Sequence, residues 1–114
     1  MSENLMTVDL RQKIQKIEGN SKCVDCGSDF PTWASLTFGI LICYNCAGFH
    51  RGLGVNHSFV KSLNLDFWDR KSIDYMLDNG NDKFIKYIKQ ITNQSSKFNE
   101  KLYKSNELKQ YNKQ

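Results

Sequence analysis

Apolar residues recur along the chain at two spacings, which separate predicted helices from predicted strands. The helical spacing of three and four residues occurs within residues 6–17, 73–77 and 84–91. Two short apolar runs rich in strand-forming residues, 36–42 and 58–65, predict strands. The pattern therefore predicts an α+β domain with several helices around a short sheet.

Small and polar residues mark the expected ends of these elements. Gly19-Asn20 should end the first helix, and Asn79-Gly80 should end the helix predicted around residues 73–77. Asp66 and Asn81 each precede an apolar helical pattern, so both are predicted N-caps. These signals divide the second half of the chain into at least two helices.

Three further glycines interrupt apolar segments. Gly39 lies inside the first predicted strand and indicates a bulge or a close approach of two backbones. Gly52 and Gly54 follow Cys46 closely and should break the short helix predicted there. Glycines at these positions leave the backbone open to close approach.

Length and composition favour one compact domain. The chain has 114 residues, is 39% hydrophobic and contains one proline, so a disordered chain is disfavoured. We expect a single domain over residues 1–114, with its core at about residues 5–90. After a polar linker at residues 92–96, a lysine-rich helix is predicted over 98–111, within a basic extension at about 97–112.

The positive charge is concentrated at the C-terminal end. Residues 83–114 carry eight lysines and two glutamates, whereas residues 1–82 carry eight basic and ten acidic side chains. A basic surface can face phosphates, an anionic membrane or an acidic partner, and a solvated helix face explains the same charges. The lysines in question are Lys83, Lys86, Lys89, Lys97, Lys101 and Lys104.

Nothing in the sequence predicts a membrane span or a secretory signal. No apolar run reaches ~18 residues, and the start "MSENLMTVDLRQ" lacks the charged and apolar regions of a signal peptide. We therefore expect an intracellular protein whose thiols stay reduced. Four clustered cysteines then indicate metal ligands in preference to disulfides.

The cysteine spacing is typical of a zinc site. Cys23 and Cys26 form one pair, Cys43 and Cys46 form the other, and 16 residues separate the pairs. Two such pairs can supply the tetrahedron of thiolates that Zn²⁺ accepts. Four thiolates leave no open position, so the ion should be structural rather than catalytic. His50 follows closely, but a packed or hydrogen-bonded histidine is the preferred interpretation.

The residues around the cysteines resemble the zinc-finger domain of Arf GTPase-activating proteins. That family's pattern is Cys-x2-Cys-x16-Cys-x2-Cys followed by His-Arg, here His50 and Arg51. Further landmarks are Trp33-Ala34-Ser35, Leu53-Gly54-Val55, Leu65-Asp66-x-Trp68 and Gly80-Asn81. The resemblance covers about residues 5–90. The chain departs from the family at Asn56-His57 and at Phe84-Ile85.

The resemblance implies that this protein activates an Arf-family GTPase in its GTP-bound form. Arg51 would then be an arginine finger, supplied in trans to the phosphoryl group that is transferred. A guanidinium is always protonated and can make two hydrogen bonds to phosphate oxygens at once. Only 3 of the 16 basic residues are arginines, which singles out Arg51. The protein itself would not be an enzyme, because the GTPase performs the hydrolysis.

Neighbouring residues are expected to support this role. Trp33 is either a partner contact near the finger or an anchor in the core. His50, Gly52 and Gly54 are tentative partner contacts, the glycines because they allow close approach. The resemblance also implies a cytoplasmic protein in vesicle trafficking, with peripheral association with Golgi or other vesicle membranes.

Two other functions fit parts of the sequence. A zinc finger that binds nucleic acid can use a similar cysteine spacing, but the basic surplus begins only after residue 82, so no nucleic-acid partner is expected. A module that binds a GTPase without activating it would need the same fold, and the presence of Arg51 argues against it.

Overall fold

The computed structural model describes residues 6–92 and 100–111. Within them the chain forms six helices and three strands. In chain order these are α1 (Val8–Gln15), β1 (Trp33–Ser35), β2 (Ile40–Ile42), α2 (Tyr44–Leu53), β3 (Val60–Ser62), α3 (Arg70–Asp78), α4 (Asn81–Thr92), α5 (Glu100–Tyr103) and α6 (Asn106–Lys109). The strands form one antiparallel sheet in the order β2-β1-β3. The predicted α+β class is confirmed.

The short sheet divides the hydrophobic core because successive residues of a strand face opposite sides. Ile40 and Ile42 of β2 pack in one cluster, whereas Leu41 between them packs in the other. The first cluster includes residues of α2, α4, α5 and α6. The second includes residues of α1 and α3 together with Trp68. Helices therefore cover both faces of the sheet.

The segment predicted as one strand over residues 36–42 is the turn and second strand of a hairpin whose first strand is β1. Residues 36–39 form its turn, in which the amide of Gly39 donates to the carbonyl of Ser35 at 2.9 Å. Gly39 has a φ of +68°, and a Cβ there would lie 2.6 Å from Cβ of Asn79. The strand prediction was wrong for residues 36–39 and correct for Ile40–Ile42, because apolar residues fill both the turn and β2. Gly39 does mark a close approach.

Two helix ends differ from the prediction. Asp69, not Asp66, is the N-cap of α3, and its carboxylate accepts from the amide of Ser72 at 2.8 Å. Asp66 instead accepts from the amide of Ser62 at 2.7 Å, within the turn after β3. Helix α1 ends at Gln15, earlier than Gly19-Asn20 predicted.

The C-terminal part is folded into the core. The helix predicted over residues 98–111 is replaced by two short helices, and Ser105 is the N-cap of the second. Residues 93–99, which contain most of the predicted linker and the start of that helix, lie outside the described part of the chain. Leu102, Tyr103 and Leu108 pack in the first cluster. No helix in the described ranges has the length and apolarity of a membrane span.

Asn81 connects three separate segments instead of capping α4 as predicted. Its side-chain oxygen accepts from the amide of Leu41 at 2.7 Å. Its amide nitrogen lies within 3.2 Å of three carbonyls, those of Gly19, Lys22 and Leu41. Asn81 is fully buried, and a polar group without a hydrogen-bond partner is costly in the interior.

We predict that Asn81→Ala destabilises the fold by about 2–4 kcal/mol. The substitution leaves a buried amide and buried carbonyls without their side-chain partner, at ~1–3 kcal/mol for each unsatisfied group. Urea denaturation followed by circular dichroism measures the change. Asn56→Ala, at an exposed position, is the control and should change stability by less than about 0.5 kcal/mol. Equal effects of the two substitutions would contradict this prediction.

Candidate functional site

The four cysteines converge at one point of the fold. Their sulfur atoms all lie within 4.8 Å of one another. The Sγ atoms of Cys26 and Cys43 are 3.6 Å apart, much longer than the ~2.05 Å of a disulfide. Tetrahedral zinc with bonds of about 2.3 Å places its sulfurs about 3.8 Å apart. The cluster therefore suits a zinc ion, as the spacing predicted.

Local backbone geometry forms each pair of ligands. The amide of Gly27 donates to the carbonyl of Cys23 at 2.9 Å, and Gly27 has a φ of +80°, which closes the turn around the first pair. Cys43 is the N-cap of α2, and its sulfur accepts from the amide of Cys46 at 3.4 Å. The second pair therefore forms the first turn of α2.

The thiols differ in how readily they ionise. Burial raises the pKa of Cys23, and burial together with the negative charge of Cys23 raises the pKa of Cys46. A hydrogen bond with the Ser28 hydroxyl lowers the pKa of Cys26 to about 6. A cluster of thiolates this close needs a cation to balance its charge.

Helix α2 carries Arg51 away from the cysteines. Arg51 lies five residues after Cys46, a rise of about 7.5 Å along the axis, and its side chain is exposed. Gly52 is within the helix, so the predicted break there is wrong. The helix ends at Gly54, which has a φ of +97° and donates its amide to the carbonyl of Arg51 at 3.1 Å.

The Arg51 guanidinium lies over the indole of Trp33. Its Cζ atom is 4.6 Å from the centroid of the Trp33 ring, a cation–π distance. Trp33 also contacts Tyr44 edge-on, with ring centroids 5.8 Å apart. Trp33 is half-buried, whereas Trp68 is the indole enclosed in the core at 1% exposure. Arg51, Trp33 and Tyr44 thus form one surface group of partly exposed side chains.

His50 faces the interior although it is next to Arg51 in the chain. Its Nε2 lies 2.8 Å from a carboxylate oxygen of Asp25, and its Nδ1 lies 2.7 Å from the hydroxyl of Ser58. The imidazole is fully buried, so it cannot be the direct partner contact that the sequence suggested. Its packed, hydrogen-bonded state agrees with the preferred interpretation of this histidine.

Sequence reasoning missed the residues that surround His50. Tyr103 of α5 donates its hydroxyl to the second carboxylate oxygen of Asp25, across 78 positions of the chain. Burial, and next the charge of Asp25, raise the pKa of Tyr103 well above its ordinary value, so the hydroxyl keeps its proton. The position of Asp25 between Cys23 and Cys26 could have indicated a role near the cysteine cluster. No sequence pattern around Tyr103 indicated that it would reach Asp25.

The two predicted contact glycines are in different surroundings. A Cβ at Gly52 would meet no heavy atom within 4 Å, and the residue is helical and exposed. A Cβ at Gly54 would also find space, but the φ of +97° makes any other residue strained. Only Gly52 can therefore be enlarged without a cost to the isolated fold.

The four-cysteine cluster and the three-stranded sheet define a small zinc-finger domain. The family model ArfGap, described as "Putative GTPase activating protein for Arf", matches residues 9–114. The chain belongs to this family, as the resemblance predicted.

Individual relatives agree with this assignment. The yeast (Saccharomyces cerevisiae) "ADP-ribosylation factor GTPase-activating protein GCS1" is 41% identical over 92 residues, which are 78% of this chain and 26% of that protein. The human "Arf-GAP with coiled-coil, ANK repeat and PH domain-containing protein 3" is 47% identical over 70 residues, 61% of this chain and 8% of that protein. The chain thus spans less than a third of the length of these relatives.

A solved structure extends the likeness to most of the fold. It is a crystal structure of a "putative GTPase activating protein for ADP ribosylation factor" from Cryptosporidium parvum. The TM-score is 0.84 at 32% identity, with 92% of this chain and 84% of the other covered.

Proposed function

We propose that this protein stimulates GTP hydrolysis by an Arf-family small GTPase in its GTP-bound form, with Arg51 as the arginine finger. The observation that carries the proposal is the placement of Arg51. Its exposed guanidinium lies at the end of a helix whose first turn belongs to the cysteine cluster. Such a helix presents the side chain to a partner at a defined position.

The chemistry requires an arginine at this place. Negative charge develops on the transferred phosphoryl group, and the GTPase alone stabilises it incompletely. A planar guanidinium can contact two phosphate oxygens at once, which the ammonium group of lysine cannot do with the same geometry. An arginine finger accelerates hydrolysis by ~10³ to 10⁵ in GTPases.

Trp33 would hold the guanidinium ready before the partner arrives. A cation–π contact at an exposed site contributes about 0.5–1 kcal/mol. That is strong enough to favour one rotamer and weak enough to be exchanged for phosphate contacts. We therefore assign Trp33 and Tyr44 to the rim of the surface that meets the GTPase, with Gly52 where the partner comes closest.

We also propose that one zinc ion occupies the four-cysteine cluster. Cys23, Cys26, Cys43 and Cys46 would hold it, and four thiolates leave no position for substrate or water. When bound, the ion supplies no chemistry to GTP hydrolysis. Its role is to join the turn around the first pair to the start of α2.

The basic C-terminal end, residues 83–114, offers a second contact. Lys83, Lys86 and Lys89 lie at three-residue steps on α4, and all three are exposed. We propose that this lysine face lies towards an anionic membrane, as would suit a protein that acts on vesicle surfaces. The GTPase assays below are therefore run with and without vesicles that contain an anionic lipid.

We predict that Arg51→Lys and Arg51→Ala each reduce stimulation of GTP hydrolysis by about 10³-fold or more, because both lose the forked hydrogen bonds. Phosphate release from a panel of GTP-loaded Arf-family GTPases measures the rate. Arg70→Ala, at an exposed arginine on α3, is the control and should retain stimulation. Full stimulation by Arg51→Ala would disprove the finger role.

We predict that Gly52→Ala separates partner approach from folding. Alanine in a helix is about 0.5–1 kcal/mol more favourable than glycine, so the isolated domain should gain stability. If the GTPase backbone comes close at this position, stimulation should fall by about tenfold or more. Gly48→Ala, at another exposed glycine of α2 with no atom near its Cβ position, is the matched control. Unchanged stimulation by Gly52→Ala would remove Gly52 from the contact surface.

We predict one zinc ion per chain, and loss of the fold around α2 when it is removed. Inductively coupled plasma mass spectrometry gives the stoichiometry, and circular dichroism with a chelator follows the structure. Cys46→Ser should lose both the metal and the fold, whereas Ser28→Ala, next to the cluster, should keep both. A metal-free Cys46→Ser variant that stays folded would refute the structural role.

A further inference from the structure

One buried series of hydrogen bonds joins helix α5 to α2, the helix that carries Arg51. We propose that this series positions Arg51, with Tyr103 and Ser58 as positioning residues on opposite sides of His50. The inference rests on the proposed function, in which Arg51 is the catalytic group. The series is Tyr103–Asp25–His50–Ser58–Ser35.

The five residues come from five separate parts of the chain. The hydroxyl of Tyr103 and Nε2 of His50 bind different oxygens of Asp25. From Nδ1 of His50 the series continues to Ser58 Oγ at 2.7 Å, and then to Ser35 Oγ at 2.7 Å. It therefore connects the first cysteine turn, α2, the segment before β3, β1 and α5.

Each polar group in the series has a compatible partner. A carboxylate only accepts, so Nε2 of His50 carries a proton and donates to Asp25. Nδ1 can then accept from Ser58, whose oxygen accepts from Ser35. The side chains of Tyr103, Ser58, Ser35 and His50 are at most 2% exposed, and that of Asp25 is 9% exposed. Buried, mutually satisfied hydrogen bonds permit few other arrangements.

His50 and Arg51 attach the same helical turn to β1 in two ways. Adjacent helical residues point about 100° apart, so one can face inward while the other faces outward. His50 reaches Ser35 through Ser58, and Arg51 lies on Trp33, two positions earlier on the same strand. Rotation of α2 about its axis would break both connections. Fixing the imidazole therefore fixes the direction in which Arg51 leaves the helix.

Helix α5 contributes Tyr103, the end of the series opposite Ser35. The Tyr103 ring contacts His50 edge-on, with centroids 4.5 Å apart, and lies parallel to Phe84 at 6.2 Å. The ring thus fills the core while the hydroxyl alone reaches Asp25. Tyr103→Phe keeps the packing and removes only the oxygen that holds the carboxylate.

The experiment compares Tyr103→Phe and Ser58→Ala with the wild-type chain. Both variants remove one oxygen, and neither changes a cysteine or a surface residue. We expect the maximal stimulated rate of GTP hydrolysis to fall by about 5- to 50-fold, because small misplacements of a catalytic group are costly. The protein concentration that gives half-maximal stimulation should change by less than about twofold. The control is Tyr87→Phe, which removes the hydrogen bond from Tyr87 to the Glu107 carbonyl at 3.0 Å and so tests docking of the C-terminal segment alone.

A second readout needs no GTPase. The chain has three arginines, so its ¹⁵N spectrum holds three Nε–H signals, and that of Arg51 is identified by its loss in Arg51→Lys. In the wild type this signal should show the heteronuclear NOE of an ordered side chain. In Tyr103→Phe and Ser58→Ala the NOE should fall, while in Tyr87→Phe it should remain.

The outcomes separate this inference from the proposed function. If Arg51→Ala still stimulates hydrolysis, the finger role fails, but the NOE still tests whether the series orders Arg51. If Arg51→Ala is inactive while Tyr103→Phe and Ser58→Ala keep both the maximal rate and the NOE, the positioning role is overturned and the finger role stands. Equal loss in Tyr87→Phe would also overturn it, because general loosening of the C-terminal segment would then explain the effect.

Discussion

The structure depends on the convergence of four cysteine sulfurs from two short segments of the chain. Cys23 and Cys26 bring a tight turn, and Cys43 and Cys46 bring the first turn of α2. The elements between them are strands of three residues, which have little stability of their own. A metal ion shared by both segments would therefore hold together a region that hydrogen bonds in the sheet alone hold weakly.

Helix α2 transmits this constraint to the surface. One end is tied to the cluster, the inner face is held by His50, and the outer face presents Arg51 on Trp33. The residues that hold the helix and the residue proposed to act are thus neighbours in the chain with opposite orientations. In this family member, therefore, the proposed chemistry belongs to a side chain whose position is defined on several sides, not to the metal site itself.

Local signals were reliable where one chemical requirement decides the outcome. The cysteine spacing predicted the cluster, because four thiolates at those intervals suit one ion, and the apolar stripes predicted α3 and α4, because burial on one helix face has a fixed period. Signals were misleading where several explanations suit the same residue. Residues 36–42 are apolar both in the turn and in β2. Asp66, Asp69 and Asn81 are all suitable caps, yet of the three only Asp69 caps a helix. Asp66 accepts from the nearby Ser62 amide instead, and Asn81 bonds to a distant strand.

The sequence by itself determined the family, the four-cysteine cluster and the prominence of Arg51, since these depend on residue types at fixed local spacings. Only the tertiary structure decided that His50 faces inward, that Arg51 lies on Trp33, and that Tyr103 reaches Asp25 across 78 positions. The physical reason is that burial and hydrogen-bond satisfaction are properties of a place in the fold. Residues distant in the chain create that place together, and no local pattern contains it.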